Sequence, residues 1–200
     1  MLIRMVNEND QHAWLELATE VSSLFQHPDN MGADPQFIAY VQNKTSQCEA
    51  LTAVDYMSGN NMGFIGFSRA KNHISWFAVA KRYRNKGAGD CLLKTVLRQL
   101  DPVRNMTVVT FTDDDPQGAA ARALYRKYGF TREKAVVHNG LARCEMTRPA
   151  SNEKRGGSFH YRYLEFIKAA QKEYCSVCNH EPMPDGKTDI ILTEKICVGG

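Results

Sequence analysis

Apolar residues recur along residues 1–148 with two alternating periods, and the switches between them mark out the elements. Residues 2–5 read as a strand. After Asn9 or Asp10, either of which can cap a helix, Trp14, Leu17, Ala18, Val21, Leu24 and Phe25 return at helical spacing. His27-Pro28-Asp29-Asn30 breaks that helix, and Asp34-Pro35 opens a second one carrying Phe37, Ile38 and Val41. Three strands follow at 49–56, 63–68 and 73–79, the first two joined by the turn signal Ser58-Gly59-Asn60-Asn61. The clearest helix spans 87–100, where Leu92, Leu93, Val96, Leu97 and Leu100 form one stripe. Residues 105–112 are β-rich. The acidic turn Asp113-Asp114-Asp115-Pro116 then caps a helix over 117–128, with Ala120, Ala121, Leu124, Tyr125 and Tyr128 on one face and Gly129 at its end. Strands at 130–138 and 141–147 flank Asn139-Gly140, a strong short hairpin signal. This order predicts an α+β fold with a mixed sheet.

The pattern changes at Pro149. Residues 149–158 are polar and glycine-rich and read as a linker. Residues 159–200 read as an extension: a helix carrying Phe159, Tyr163, Phe166, Ile167, Ala170 and Tyr174, then a turn-rich tail. The chain therefore divides into a main domain at 1–148, a linker and a C-terminal extension.

Composition narrows the function classes. The chain is 43% hydrophobic and 24% charged, ordinary for a folded globular protein. No apolar run approaches the ~18–20 residues of a membrane helix, and no signal peptide opens the chain. A cytoplasmic protein without membrane attachment is expected. The net charge of +3 does not argue for nucleic acid. Its distribution is more telling. Between Lys71 and Arg104, eight basic residues face only Asp90 and Asp101. A local positive field beside a glycine turn suits a phosphate-bearing ligand.

That turn lies within Phe77-Ala78-Val79-Ala80-Lys81-Arg82-Tyr83-Arg84-Asn85-Lys86-Gly87-Ala88-Gly89-Asp90, a strand end, a basic loop and a helix start. The start of a helix offers unpaired backbone N–H groups and the positive end of the dipole. Gly87 and Gly89 allow close approach to the backbone, and Arg84 and Lys86 add charge from the flank. The segment lacks the Gly-Lys-Ser/Thr of a P-loop, and Leu92 stands where a dinucleotide fingerprint needs glycine. Gly66-Phe67-Ser68-Arg69-Ala70 lacks the last glycine of a hydrolase elbow and sits in a hairpin. A glycine-capped, solvated basic loop is the plain alternative to a phosphate site.

Arg84-x-x-Gly87-x-Gly89 after a strand and opening a helix resembles the acetyl-CoA motif of the Gcn5-related N-acetyltransferases (GNAT). Leu124-Tyr125-Arg126-Lys127-Tyr128-Gly129-Phe130 resembles that family's LYxxxGF helix end. The likeness covers residues 1–148. It implies a mixed, mostly antiparallel central sheet flanked by helices, and acetyl-CoA-dependent transfer to an amine by direct attack on the thioester. It implies that the pantetheine arm lies along Phe77, Ala78 and Val79, where a backbone N–H polarises the thioester carbonyl. Arg84, Asn85, Lys86, Gly87, Ala88 and Gly89 would hold the pyrophosphate, and Tyr125 would protonate the departing thiolate as general acid. A packed aromatic is the plain alternative for Tyr125. Gly118 stands where the family often has Asn, and Asn85 where many members have Gly. No residue is marked as the base; His73, Glu49 and the 113–115 carboxylates are the candidates. A non-catalytic acyl-CoA-binding module of the same fold is the alternative function. A homodimer is compatible with the sequence.

The cysteines divide by position. Cys48, Cys91 and Cys144 lie apart in apolar contexts and read as buried thiols. Cys175, Cys178, His180 and Cys197 are zinc-ligand types, but Cys197 has no close partner and His180 follows Cys178 by only two positions. Free thiols, with no bound metal, are the expectation for this tail.

Overall fold

The computed structural model describes residues 1–27 and 29–151. The proposed helix at 159–174, most of the linker and the cluster Cys175, Cys178, His180 and Cys197 lie outside the described residues. The elements run β1 (Leu2–Met5), α1 (Gln11–Val21), α2 (Pro35–Ser46), β2 (Ala50–Val54), β3 (Asn61–Ser68), β4 (His73–Val79), α3 (Ala88–Gln99), β5 (Met106–Thr110), α4 (Ala119–Lys127), β6 (Arg132–His138) and β7 (Leu141–Arg148). This is the predicted order.

Local chemistry sets the ends of the helices. Asn7 and Asp10 form a capping box over the turn that leads into α1, and the Asp34 side chain accepts from the Gln36 N–H ahead of Pro35 at the start of α2. Helix α1 stops at Val21, before the predicted Leu24 and Phe25, which ride in the following turn. That turn closes with Gln26 in the left-handed region at φ 55°. Asn139 and Gly140, at φ 51° and 75°, make the left-handed two-residue loop of the β6–β7 hairpin.

Seven strands form one sheet in the order β1-β2-β3-β4-β5-β7-β6. Every pairing is antiparallel except β4–β5, which is parallel. Helices α3 and α4 cover one face. There Leu92, Leu93, Val96 and Leu97 pack with Leu51, Ile65, Phe67, Ile74, Val108, Phe130 and Met146. Helices α1 and α2 cover the other face over β2–β4, where Trp14, Leu17, Val21 and Val41 pack with Phe64 and Trp76. Burying side chains of this size contributes about 1.5–3 kcal/mol each, which makes these two layers the main stabilising term.

One irregularity positions everything that follows. Gly66 pairs with Trp76 and Phe67 with Ile74, so Ser75 is an extra residue in β4, a β-bulge. Ile74 and Phe77 face α3, while Ser75 and Trp76 both face α1 and α2. The Tyr40 hydroxyl meets Ser75 Oγ at 2.7 Å in the space above Gly66, where a Cβ would clash with that hydroxyl.

Candidate functional site

The parallel pairing of β4 and β5 is confined to His73–Thr107 and Ile74–Val108. Beyond the bulge the two strands diverge, and Phe77, Ala78 and Val79 continue without a partner on the β5 side. The backbone edge of β4 is therefore open along the stretch expected to meet a pantetheine arm. A peptide-like ligand can complete such an edge with the hydrogen bonds a neighbouring strand would otherwise make.

At the end of β4 the chain turns through Lys81–Tyr83 into the loop before α3. Arg84 Nε donates to the Val79 carbonyl at 3.1 Å, which fixes the guanidinium beside the last residue of the strand. Asn85 has φ 60° and Gly87 has φ 80°. Asn is among the non-glycine residues that tolerate the left-handed region best, which suits Asn85 to this turn. Gly87 has no atom within 4 Å of the place a Cβ would occupy. Its left-handed conformation followed by the helical Ala88 turns successive N–H groups to one side, a concavity suited to an anion. Gly89 has a different cause: a Cβ there would press on the Phe77 ring at 3.3 Å. Its small size lets α3 lie against β4.

Two rings line the divergence on the α3–α4 side. Phe77 and Tyr125 have centroids 6.3 Å apart, and Tyr125 packs edge-on against Phe130 at 5.6 Å. Tyr125 is 3% exposed, and burial alone pushes its hydroxyl well above the ordinary tyrosine range. The group therefore keeps its proton at any ordinary pH. The Asp90 carboxylate at the start of α3 meets Lys127 Nζ at 2.5 Å and accepts from the Tyr128 hydroxyl at 2.9 Å. This contact joins the start of α3 to the end of α4 and neutralises the one acid in the first turn of α3.

The opposite side of the divergence is aromatic. Phe25, from the turn after α1, stacks on Trp76 at 5.8 Å and meets Phe111 at 6.3 Å, spanning from β4 to the end of β5. Phe37 of α2 packs on Trp76 at 5.6 Å. Gly118 belongs to this packing, because a Cβ there would lie 2.3 Å from Phe111 Cβ. No side chain fits at this position without a shift of Phe111. Arg122, buried beside it, donates to the carbonyls of Thr112, Asp113 and Asp115 and holds the loop between β5 and α4.

The candidate bases are placed elsewhere. Glu49 is buried and paired with Lys44 at 2.6 Å. His73 Nδ1 meets Thr107 Oγ1 at 2.8 Å where β4 and β5 are still joined, and burial lowers its pKa against the opposing pull of Glu145. It lies four residues from Phe77, roughly 13 Å along the strand. Asp113 pairs with Arg126 and Arg122, and Asp115 caps the turn before α4. Glu49, His73, Asp113 and Asp115 are thus each engaged by partners of their own. A surface cavity of about 600 Å³ lies between α1 and the end of β4, lined by Glu16, Glu20, Asn61, Phe64, Ala80 and Lys81 among others. Among the described residues no cluster of His, Cys, Asp or Glu could hold a metal ion, and no helix is long and apolar enough to cross a membrane.

Comparison with known proteins yields a family and a fold. The family described as "Acetyltransferase (GNAT) domain" matches residues 34–148. No curated protein matches the chain. Among solved structures, a GNAT-family acetyltransferase from Bacillus cereus superposes with a TM-score of 0.56 at 12% identity, covering 75% of this chain and 97% of the other. An N-acetyltransferase from Staphylococcus aureus gives 0.56 at 14% identity, covering 74% of this chain and all of the other. Ard1 from Thermoplasma volcanium gives 0.53 at 19% identity, covering 75% and 97%. At these identities the likeness concerns the fold.

Proposed function

We propose, for a chain that belongs to the GNAT acetyltransferase family, that it moves an acetyl group from acetyl-CoA to a primary amine by direct attack. The observation that carries this reading is the open edge of β4 leading straight into the Arg84–Gly89 loop, with the Tyr125 ring beside Phe77. The residues present fit the co-substrate. The empty space beside Gly87 and the N–H groups of the loop suit a pyrophosphate, with Arg84 and Lys86 supplying positive charge. The β5-facing edge along Phe77, Ala78 and Val79, where only the Val79 carbonyl is engaged by Arg84, suits the amides of the pantetheine arm.

In this reading a backbone N–H of that edge stabilises charge on the thioester oxygen. The amine nitrogen bonds to the carbonyl carbon, the carbon–sulfur bond breaks, and the Tyr125 hydroxyl gives its proton to the departing sulfur. An alkylammonium has a pKa near ~10, and the candidate bases Glu49, His73, Asp113 and Asp115 are each engaged by partners of their own. The amine's proton therefore leaves through water, and the amine reacts in its neutral form.

The test is thiol release from acetyl-CoA in the presence of a broad panel of primary amines. The proposal expects release that depends on both substrates and yields the acetamide. Saturable acetyl-CoA binding with no turnover across the panel would instead identify a non-catalytic acyl-CoA-binding module.

A further inference from the structure

Three basic side chains are buried among the described residues: Lys44, Arg122 and Arg143. Lys44 has Glu49 at 2.6 Å and Arg122 has Asp113 at 3.2 Å. Among the described residues Arg143, only 9% exposed, meets no carboxylate. Its guanidinium donates to Gln26 Oε1 at 3.3 Å, the Phe25 carbonyl at 3.1 Å and its own neighbour's carbonyl, Ala142, at 3.4 Å. All three acceptors are neutral. Asp115 is reached only through the Gln26 amide, which approaches it at 3.5 Å. Glu145, next on the same face of β7, lies opposite Lys134 in the register. Burying a cation without a counter-charge is costly. Three bonds also leave two of the five guanidinium N–H donors for another group.

The position of this cation gives it a use. Arg143 lies 5.1 Å over the Phe111 ring and reaches from β7 to the turn after α1. Phe111 and Phe25 form the side of the β4–β5 divergence away from Tyr125. The α3–α4 side is filled by Tyr125, Phe130 and Leu124. The side of the divergence opposite Tyr125 is thus built from the Phe25, Trp76 and Phe111 rings, with the Arg143 guanidinium over Phe111.

Building on the acetyl-transfer reading above, we propose that Arg143 binds a carboxylate of the acceptor, so that the substrate class is amines bearing a carboxylate near an apolar or aromatic group. The free amino acids and acidic peptide segments share this chemistry. Arg143 is a specificity residue in this account: it holds the acceptor by a charge-assisted hydrogen bond and takes no part in proton transfer.

Binding tests this without turnover. N-acetylphenylalanine and N-acetylphenylalaninamide differ only in the carboxylate, and each resembles an acetylated product. Calorimetric titration of both into the CoA-loaded protein should show the carboxylate bound at least about tenfold more tightly. The preference should vanish in Arg143→Gln and survive, reduced, in Arg143→Lys, with circular dichroism establishing that both variants fold. Equal affinity for the two probes, binding of neither, or an undiminished preference in Arg143→Gln would overturn the proposal. A purely structural Arg143 would lower the melting temperature of Arg143→Gln without altering any preference between the probes. CoA affinity is read in the same instrument, so failure of the transferase reading and failure of the carboxylate site give different results.

Discussion

Replacing Tyr125 with phenylalanine is expected to slow acetyl transfer about 100-fold or more while leaving acetyl-CoA affinity within a factor of two or so. The substitution removes only the hydroxyl. The ring keeps its contacts with Phe77 and Phe130, and burial is the sole influence on the hydroxyl's proton affinity, with no hydrogen bond contributing. Stability should therefore change by less than about 1 kcal/mol. Alanine would be a poor probe, because emptying this 3%-exposed position costs about 3–5 kcal/mol of packing. Burial raises the Tyr125 pKa, so the acid form persists as pH rises and the hydroxyl adds no alkaline limb to the profile. The rate should climb with pH as the acceptor amine loses its proton. Steady-state kinetics of both proteins across pH 6–10 checks this. Equal kcat in wild type and Tyr125→Phe would mean that the thiolate departs without help from this residue.

A second large effect concerns stability. Glu49→Gln should lower unfolding free energy by about 3–5 kcal/mol, because it leaves the Lys44 ammonium buried without its counter-charge. Lys44 Nζ donates to Glu49 Oε2 and to the Phe67 carbonyl, both at 2.6 Å, and Glu49 Oε1 accepts from the Arg69 N–H at 2.7 Å. One ion pair thus joins the end of α2 to the end of β3. For a chain of this size the loss corresponds to a fall in melting temperature of roughly 10 °C. Joint replacement, Lys44→Met with Glu49→Leu, should recover part of it, since two apolar groups leave no orphan charge. Thermal and denaturant unfolding of the single and double variants gives the comparison. A melting temperature unchanged in Glu49→Gln, with turnover lost, would return Glu49 to the role of base.

Glu49 also marks the boundary of what the sequence reveals. The elements with strong local signals were legible. The leucine stripe of α3, Asp34-Pro35 at the start of α2 and Asn139-Gly140 in the last hairpin all stand where their patterns put them. What local pattern could not supply were features made by distant contacts. The bulge at Ser75 breaks the period of two within an otherwise regular strand and is seen only against Gly66 and Phe67. Gly118 reads as an ordinary helix-start glycine until Phe111 is laid on it. Arg143 sits in the alternating sequence of β7 where a polar side chain should face solvent. Its burial depends on Phe25 and Gln26, which arrive from the far end of the chain. No signal short of knowing the β5-β7-β6 order could have placed it beside Phe111.

The central claim is that acetyl-CoA lies along the open edge of β4 with its pyrophosphate on the Arg84–Gly89 loop. Isothermal titration of acetyl-CoA into wild type, Arg84→Ala and Gly87→Trp tests it most directly. Arg84→Ala removes the guanidinium held at the end of β4. Gly87→Trp fills the open space beside the loop and disfavours its left-handed turn. The account predicts micromolar-range binding to wild type and a loss of about tenfold or more in each folded variant. A folded wild type that does not bind acetyl-CoA, or variants that bind it as well as wild type does, would contradict it.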